Sequence, residues 1–139
     1  MKSFLGLGEC MIELSGAGTP DDPTLMRQGF AGDVFNTLWY ARAKLPSDWQ
    51  VAFHTAVGNG AVSDQMLSFF EEAGISTADT PRIEGRNPGL YMIHLDGAER
   101  SFSYWRDTSA ARLMMRDPDV LWAKVSKADL VYFSGITIA

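Results

Sequence analysis

Gly29-Phe30-Ala31-Gly32-Asp33-Val34-Phe35-Asn36-Thr37 is the stretch on which the reading of this chain turns. Two glycines and an aspartate lead into apolar residues at 34, 35, 38, 41 and 45, which is close to helical spacing. Asp33 stands where an N-cap belongs, and Lys44-Leu45-Pro46 where the helix must stop. A short strand over Leu25–Phe30 is expected to lead into the motif. Gly32 would let a bound molecule approach the backbone closely. The first-turn N–H groups and the helix dipole would then face that molecule. Asp33 and Asn36 add side-chain acceptors and donors that suit sugar hydroxyls. The same residues also suit a capped loop-to-helix junction that holds no ligand.

Upstream, Phe4–Leu14 reads as one strand, apolar on both faces like a parallel strand covered by helices. Gly6-Leu7-Gly8 starts a dinucleotide fingerprint, but Met11 stands at the third glycine and no helix start follows, so that reading is weak. Glu9 and Glu13 interrupt the run. A buried carboxylate is costly unless satisfied, so at least one of them belongs at a strand end. Glu13 either meets a ligand hydroxyl or is simply exposed. Residues 15–23, rich in Gly, Thr, Pro and Asp, predict a loop. Downstream, Trp49–Val57 predicts a second core strand, in which His54 reads as a packed residue rather than a catalytic one. A helix is expected over Val62–Ala73, with Met66, Phe69, Phe70 and Ala73 on one face and Gly74 at C′. A short strand over Ile75–Thr80 follows.

The pattern then changes. Gly89–Leu95 and Arg100–Arg106 flank Asp96-Gly97-Ala98-Glu99, a hairpin signal between β-rich runs. Tyr91, Ile93 and Leu95 share one parity, as do Phe102 and Tyr104. The hairpin interrupts the βα alternation and is expected to project from the main sheet as a lid. Sheet packing accounts for Tyr91, Tyr104 and Trp105. It accounts less well for Arg106 beside them, because guanidinium is a preferred partner of carboxylate or phosphate. Helical pieces are expected over 109–115 and 117–126, with Asp119 as a cap and Pro118 in a first turn. Leu130–Phe133 predicts another buried strand. A parallel strand normally continues into a helix that covers the sheet, so the 139 residues read as part of a longer protein.

Composition narrows the class. Hydrophobic content of 46% and charged content of 21% are those of a globular chain with a real core. A net charge of −5 with no basic stripe excludes a nucleic-acid surface. No apolar run is long enough for a membrane span, and no signal-peptide pattern precedes the first strand. The single cysteine, Cys10, cannot form an internal disulfide, and a reducing cytoplasm is the simplest setting.

Four stretches together resemble the sugar kinases of the ribokinase (PfkB) family, over essentially all 139 residues. They are Gly8–Ser15, Gly29–Thr37 (with Ala31 where glycine is commoner), Pro88–Tyr91 with Glu99–Arg106, and Leu130–Ile136. The resemblance implies a Rossmann-like α/β fold with a small β-sheet lid. Residues 1–139 would form a single incomplete domain with lid elements at about 15–30 and 88–106. It implies transfer of the γ-phosphoryl of ATP to a sugar hydroxyl with magnesium. Gly32, Asp33 and Asn36 would bind hydroxyls of the sugar. Tyr91 and Tyr104 would hold it from the lid, Trp105 would contribute through its backbone, and Arg106 would pair with a carboxylate. Arg106 favours an acidic sugar, 2-keto-3-deoxygluconate, over fructose, ribose or a nucleoside. The family's DTxGAGD-like signature, with the catalytic aspartate and anion hole, is absent, as is the ATP region, and no P-loop substitutes. This chain alone is therefore expected to have no catalytic residue, to bind no ATP or Mg2+, and to be inactive. Family members often pair through such lids, which implies a homodimer. A non-catalytic module for sugar-acid binding or dimerisation is the reading from another class.

Overall fold

The apolar run over residues 4–14 is not one strand. In the computed structural model, which describes residues 1–19 and 21–139, it breaks at Gly8-Glu9-Cys10. Pro20, within the loop expected over 15–23, lies outside the described residues. In chain order the elements are β1 (Lys2–Leu7), β2 (Met11–Gly16), β3 (Met26–Ala31), α1 (Asp33–Lys44), β4 (Trp49–His54) and α2 (Ala61–Glu72). The hairpin β5 (Leu90–Asp96) and β6 (Glu99–Trp105) follows, then α3 (Pro118–Val125) and β7 (Leu130–Phe133). Short 3-10 turns cover Ala110–Leu113 and Gly135–Ile138.

The break sends β1 and β2 into different sheets. β1 is the centre of a parallel sheet of order β4-β1-β7. β2 is inside a second sheet of order β3-β2-β5-β6, parallel to β5 and antiparallel to β3. The physical reason for the break is Glu9. A strand covered on both faces cannot satisfy its carboxylate, and the turn lets that group reach a cation on another element.

Helices α1 and α2 cover one face of the parallel sheet. Val34, Phe35 and Leu38 of α1 and Met66 and Phe70 of α2 close over Phe4, Val51 and Phe53. The Phe35 ring lies 4.7 Å from that of Phe70 and 5.9 Å from that of Phe53. Beyond β4, Ala56, Ile83, Ala110 and Met114 make a smaller cluster. His54 reaches Met114, its Nε2 lying 2.8 Å from the carbonyl oxygen. Cys10 is buried; burial, and then the neighbouring Glu9 carboxylate, push its thiol well up, so it is a packing group rather than a nucleophile.

Several expectations need correction. The N-cap of α1 is Gly32, and Asp33 is the first helical residue. Its Oδ1 still accepts from Val34 N–H at 2.8 Å, so a first-turn donor is satisfied one position later than expected. For α3 the cap is Asp117, which accepts from the N–H groups of Asp119 and Val120, and not Asp119 itself. Ile75–Thr80 makes one parallel bridge, Ala52 to Ser76, and no strand. β7 is an edge strand rather than a buried one, and its Leu130 and Phe133 are 48% and 49% exposed. Among the described residues no helix is long and apolar enough to cross a membrane.

Candidate functional site

The register of the second sheet sorts the candidate residues by face. Gly29 of β3, Glu13 of β2, Tyr91 of β5 and Tyr104 of β6 form one continuous row. Side chains alternate along a strand, so this face also takes Ala31, Met11, Gly89 and Arg106. The intervening row, Phe30–Ile12–Leu90–Trp105, faces the other way. Trp105 therefore turns its ring from the other candidates and lines a separate hollow with Ile12, Val62 and Leu90. Only its backbone stays near the row.

Tyr91 is half-buried and donates its hydroxyl to Glu13 Oε2. Burial, and then this carboxylate, push the phenol's pKa upward, so Tyr91 stays protonated. With its proton committed to Glu13, the Tyr91 oxygen is an acceptor, and so is the second Glu13 oxygen. A molecule rich in hydroxyl donors suits such a row. The rings of Tyr91 and Tyr104 lie 5.9 Å apart, and Tyr104 is 55% exposed on the same face.

At the inner end of that face stands Arg106. Its Nη2 lies 2.7 Å from Glu9 Oε2, and the Glu9 side chain is only 8% accessible. Glu9 Oε1 and Arg106 Nε are both buried without a hydrogen-bond partner. Two glycines make room for this pair. A Cβ on Gly32 would run into the Glu9 carbonyl, and one on Gly89 would stand 2.6 Å from Glu9 Oε1. Gly32 thus serves the crossing of Glu9 and α1, whatever else approaches its backbone.

Glu9, Arg106, Asp33, Arg112, Met114 and Thr137 line a cavity of about 110 Å³. The fold thus brings Asp33, from the start of α1, to the same space as Arg106, from the end of β6. Asn36, one turn along α1, opens instead on a separate hollow with Phe30, Trp39, Tyr40 and Phe69, so the fold does not bring it to the Arg106 cavity. Sequence reasoning left Glu9 without a partner, left Glu13 undecided and missed Arg112. The signal for Glu9 was present, as a carboxylate inside an apolar run must find a cation or an end. Arg112 carried no local signal.

A parallel α/β core whose first strand breaks into a separate small sheet, with the Glu13 and Arg106 face of that sheet beside the first helix, is the architecture of a class of sugar kinases. The chain belongs to the pfkB family of carbohydrate kinases, whose pattern matches residues 1–139. It is 39% identical over 143 residues to the 2-dehydro-3-deoxygluconokinase of Haemophilus influenzae, which covers 100% of this chain and 44% of that protein. It is 36% identical over 142 residues to the enzyme of that name from Dickeya dadantii, covering 99% of this chain and 44% of the relative. The chain thus spans less than half the length of these curated relatives. Among solved structures, fructokinase from Xylella fastidiosa with bound ATP matches with a TM-score of 0.75 at 27% identity, covering 94% of this chain and 38% of that one. The 2-dehydro-3-deoxygluconokinase of Thermotoga maritima shares the fold with a TM-score of 0.75 at 21% identity, covering 98% of this chain and 42% of that one.

Proposed function

We propose that residues 1–139 form the sugar-binding portion of an ATP- and magnesium-dependent cytoplasmic kinase that phosphorylates 2-keto-3-deoxygluconate. The second sheet is its lid, and two copies pair through it. The supporting observation is a row of acceptors on one sheet face, Glu13–Tyr91–Tyr104, that ends at a guanidinium. The identity to relatives of that activity points the same way. In this reading Glu13, Tyr91 and Tyr104 hold the sugar's hydroxyls from the lid. Gly32 and Asp33 meet it from the start of α1, with the Trp105 backbone alongside, while Asn36, turned to another hollow, is left out of the site. Arg106 takes the carboxylate.

In this reading the base, the anion hole and the nucleotide site that phosphoryl transfer needs belong to another part of the protein. Among the described residues no group of three His, Cys, Asp or Glu side chains could hold a metal ion. No Gly-Ala-Gly-Asp stretch occurs.

A neutral sugar is the second reading, because Glu9 already neutralises Arg106. Arg106→Ala separates the two, in the protein expressed from its complete reading frame. Losing a buried charge-assisted contact costs about 2–5 kcal/mol. That is a fall in kcat/KM for the sugar acid of roughly one and a half to three and a half decades. A neutral analogue should lose far less. Equal losses on both would sink the acidic-sugar reading and leave the neutral one.

A further inference from the structure

Glu9 is nearly inaccessible while the Arg106 side chain keeps 27% of its surface, so the carboxylate stands behind the guanidinium with respect to solvent. One edge of the guanidinium is held, at Nη2. Arg106 Nε is buried and unpartnered, in a residue that lines the cavity shared with Asp33. A planar guanidinium has its donors in a fixed fork, so fixing one donor fixes where the others point. Glu9 is itself fixed on two sides. Its carbonyl abuts Gly32, and its Oε1 lies against Gly89 at the start of β5. The backbone after β3 thus borders the Glu9 main chain, the backbone before β5 borders its carboxylate, and that carboxylate holds one arginine.

We propose that Glu9 is a positioning residue: it clamps Arg106 by Nη2, behind the guanidinium, so that the outer Nη1 side is held ready to receive the carboxylate of a sugar acid. This deepens, and rests on, the reading of the substrate as an acid. It gives a use to the break in the first apolar run, which delivers Glu9 to the end of β6. It also explains why Arg106 can be ion-paired and still hold substrate. A guanidinium offers five donors; Glu9 holds the Nη2 end and Nε is buried, which leaves the Nη1 end for a ligand.

Glu9→Gln keeps the shape and an acceptor while removing the charge. In the protein expressed from its complete reading frame, we expect KM for 2-keto-3-deoxygluconate to rise about ten- to a hundredfold, the range seen when the partner orienting a metal ligand is removed. The kcat should stay within about twofold, since the lost interaction serves ground state and transition state alike. A purely structural role would move the melting temperature instead. An unchanged KM overturns the proposal. So does a lower KM, the result if Glu9 merely competed with the substrate for Arg106. A second readout needs no sugar. The side-chain 15N spectrum of Arg106 should show hindered guanidinium rotation in the wild type and averaged Nη signals in Glu9→Gln. Averaged signals in the wild type overturn the clamp. If the wild type leaves the sugar acid untouched but turns over a neutral sugar, the substrate reading fails and the proposal falls with it. If the wild type uses the acid and Glu9→Gln keeps its KM, the clamp alone fails.

Discussion

His54 is buried, with its Nε2 2.8 Å from the Met114 carbonyl and its Nδ1 unpartnered. An N–H must sit on Nε2 to donate to that carbonyl, so the neutral tautomer leaves Nδ1 bare. Burial lowers the imidazole's pKa against the raising effect of the Met114 bond, and the charge of Lys124 lowers it further. A histidine so depressed binds its proton more readily in the unfolded chain. Its contribution is complete above the unfolded pKa of about 6.5 and is lost as pH falls from there toward the lower folded value. The urea midpoint should therefore decline between pH 7.5 and 5.5, a window above most carboxylate titration. His54→Gln retains an N–H donor without the titration, and its midpoint should decline less across that window. A variant with the same slope as the wild type would assign the pH dependence elsewhere. That His54 packs inside its strand was legible from its place in an apolar run. Its bond to Met114 was not, because the two residues are 60 positions apart.

The junction of β1, β2 and α1 carries the site, and glycine is what permits it. Gly32 has an extended φ of −177°, open to any residue, so the demand there is steric rather than conformational. A side chain would meet the Glu9 carbonyl, with Cys10 Cα at 3.2 Å. Both obstacles are backbone, which yields less readily than a side chain end. Gly32→Ala should cost about 1–3 kcal/mol, the range for overpacking a tight site. Gly29→Ala is the matched control. No atom lies within 4 Å of a Cβ at that position, so its change should stay within about 0.5 kcal/mol. Equal denaturant midpoints for the two variants would show that the β1–β2 turn gives way freely. Elements with local signals were legible here. The α1 apolar stripe, the Asp96-Gly97 turn and Gly74, which takes a φ of +71°, all act within a few residues. The split of β1 from β2 was hidden because both halves are apolar, and apolarity marks burial without saying against which sheet. The Glu9–Arg106 pair joins residues far apart in the chain, and only the assembled sheets bring them together.

At the scale of the whole molecule, the outer part of the second sheet is exposed and rich in apolar side chains. Phe102, Tyr104 and Leu95 are 47%, 55% and 65% accessible, and Phe102 stacks on Tyr104 with ring centroids 6.2 Å apart. Both border strands, β3 and β6, have one free edge. A small sheet stabilises itself by burying a face, and a second copy offers a self-complementary cover through a two-fold contact. The 139-residue chain carries a net charge of −5, so two copies of it would repel at long range, and salt would relieve that repulsion. Light scattering should therefore give a dimer mass at micromolar concentration, shifting toward monomer on dilution and back toward dimer as salt is raised. Phe102→Glu places a charge in the centre of the apolar patch, on an exposed strand position where the fold tolerates it. It should give a monomer at every concentration with an unchanged far-ultraviolet spectrum. A wild type that stays monomeric throughout, or a Phe102→Glu variant that keeps the dimer mass, would remove this face from the interface. In the second case the Leu25–Phe30 edge, where β3 lies open, becomes the surface to substitute next.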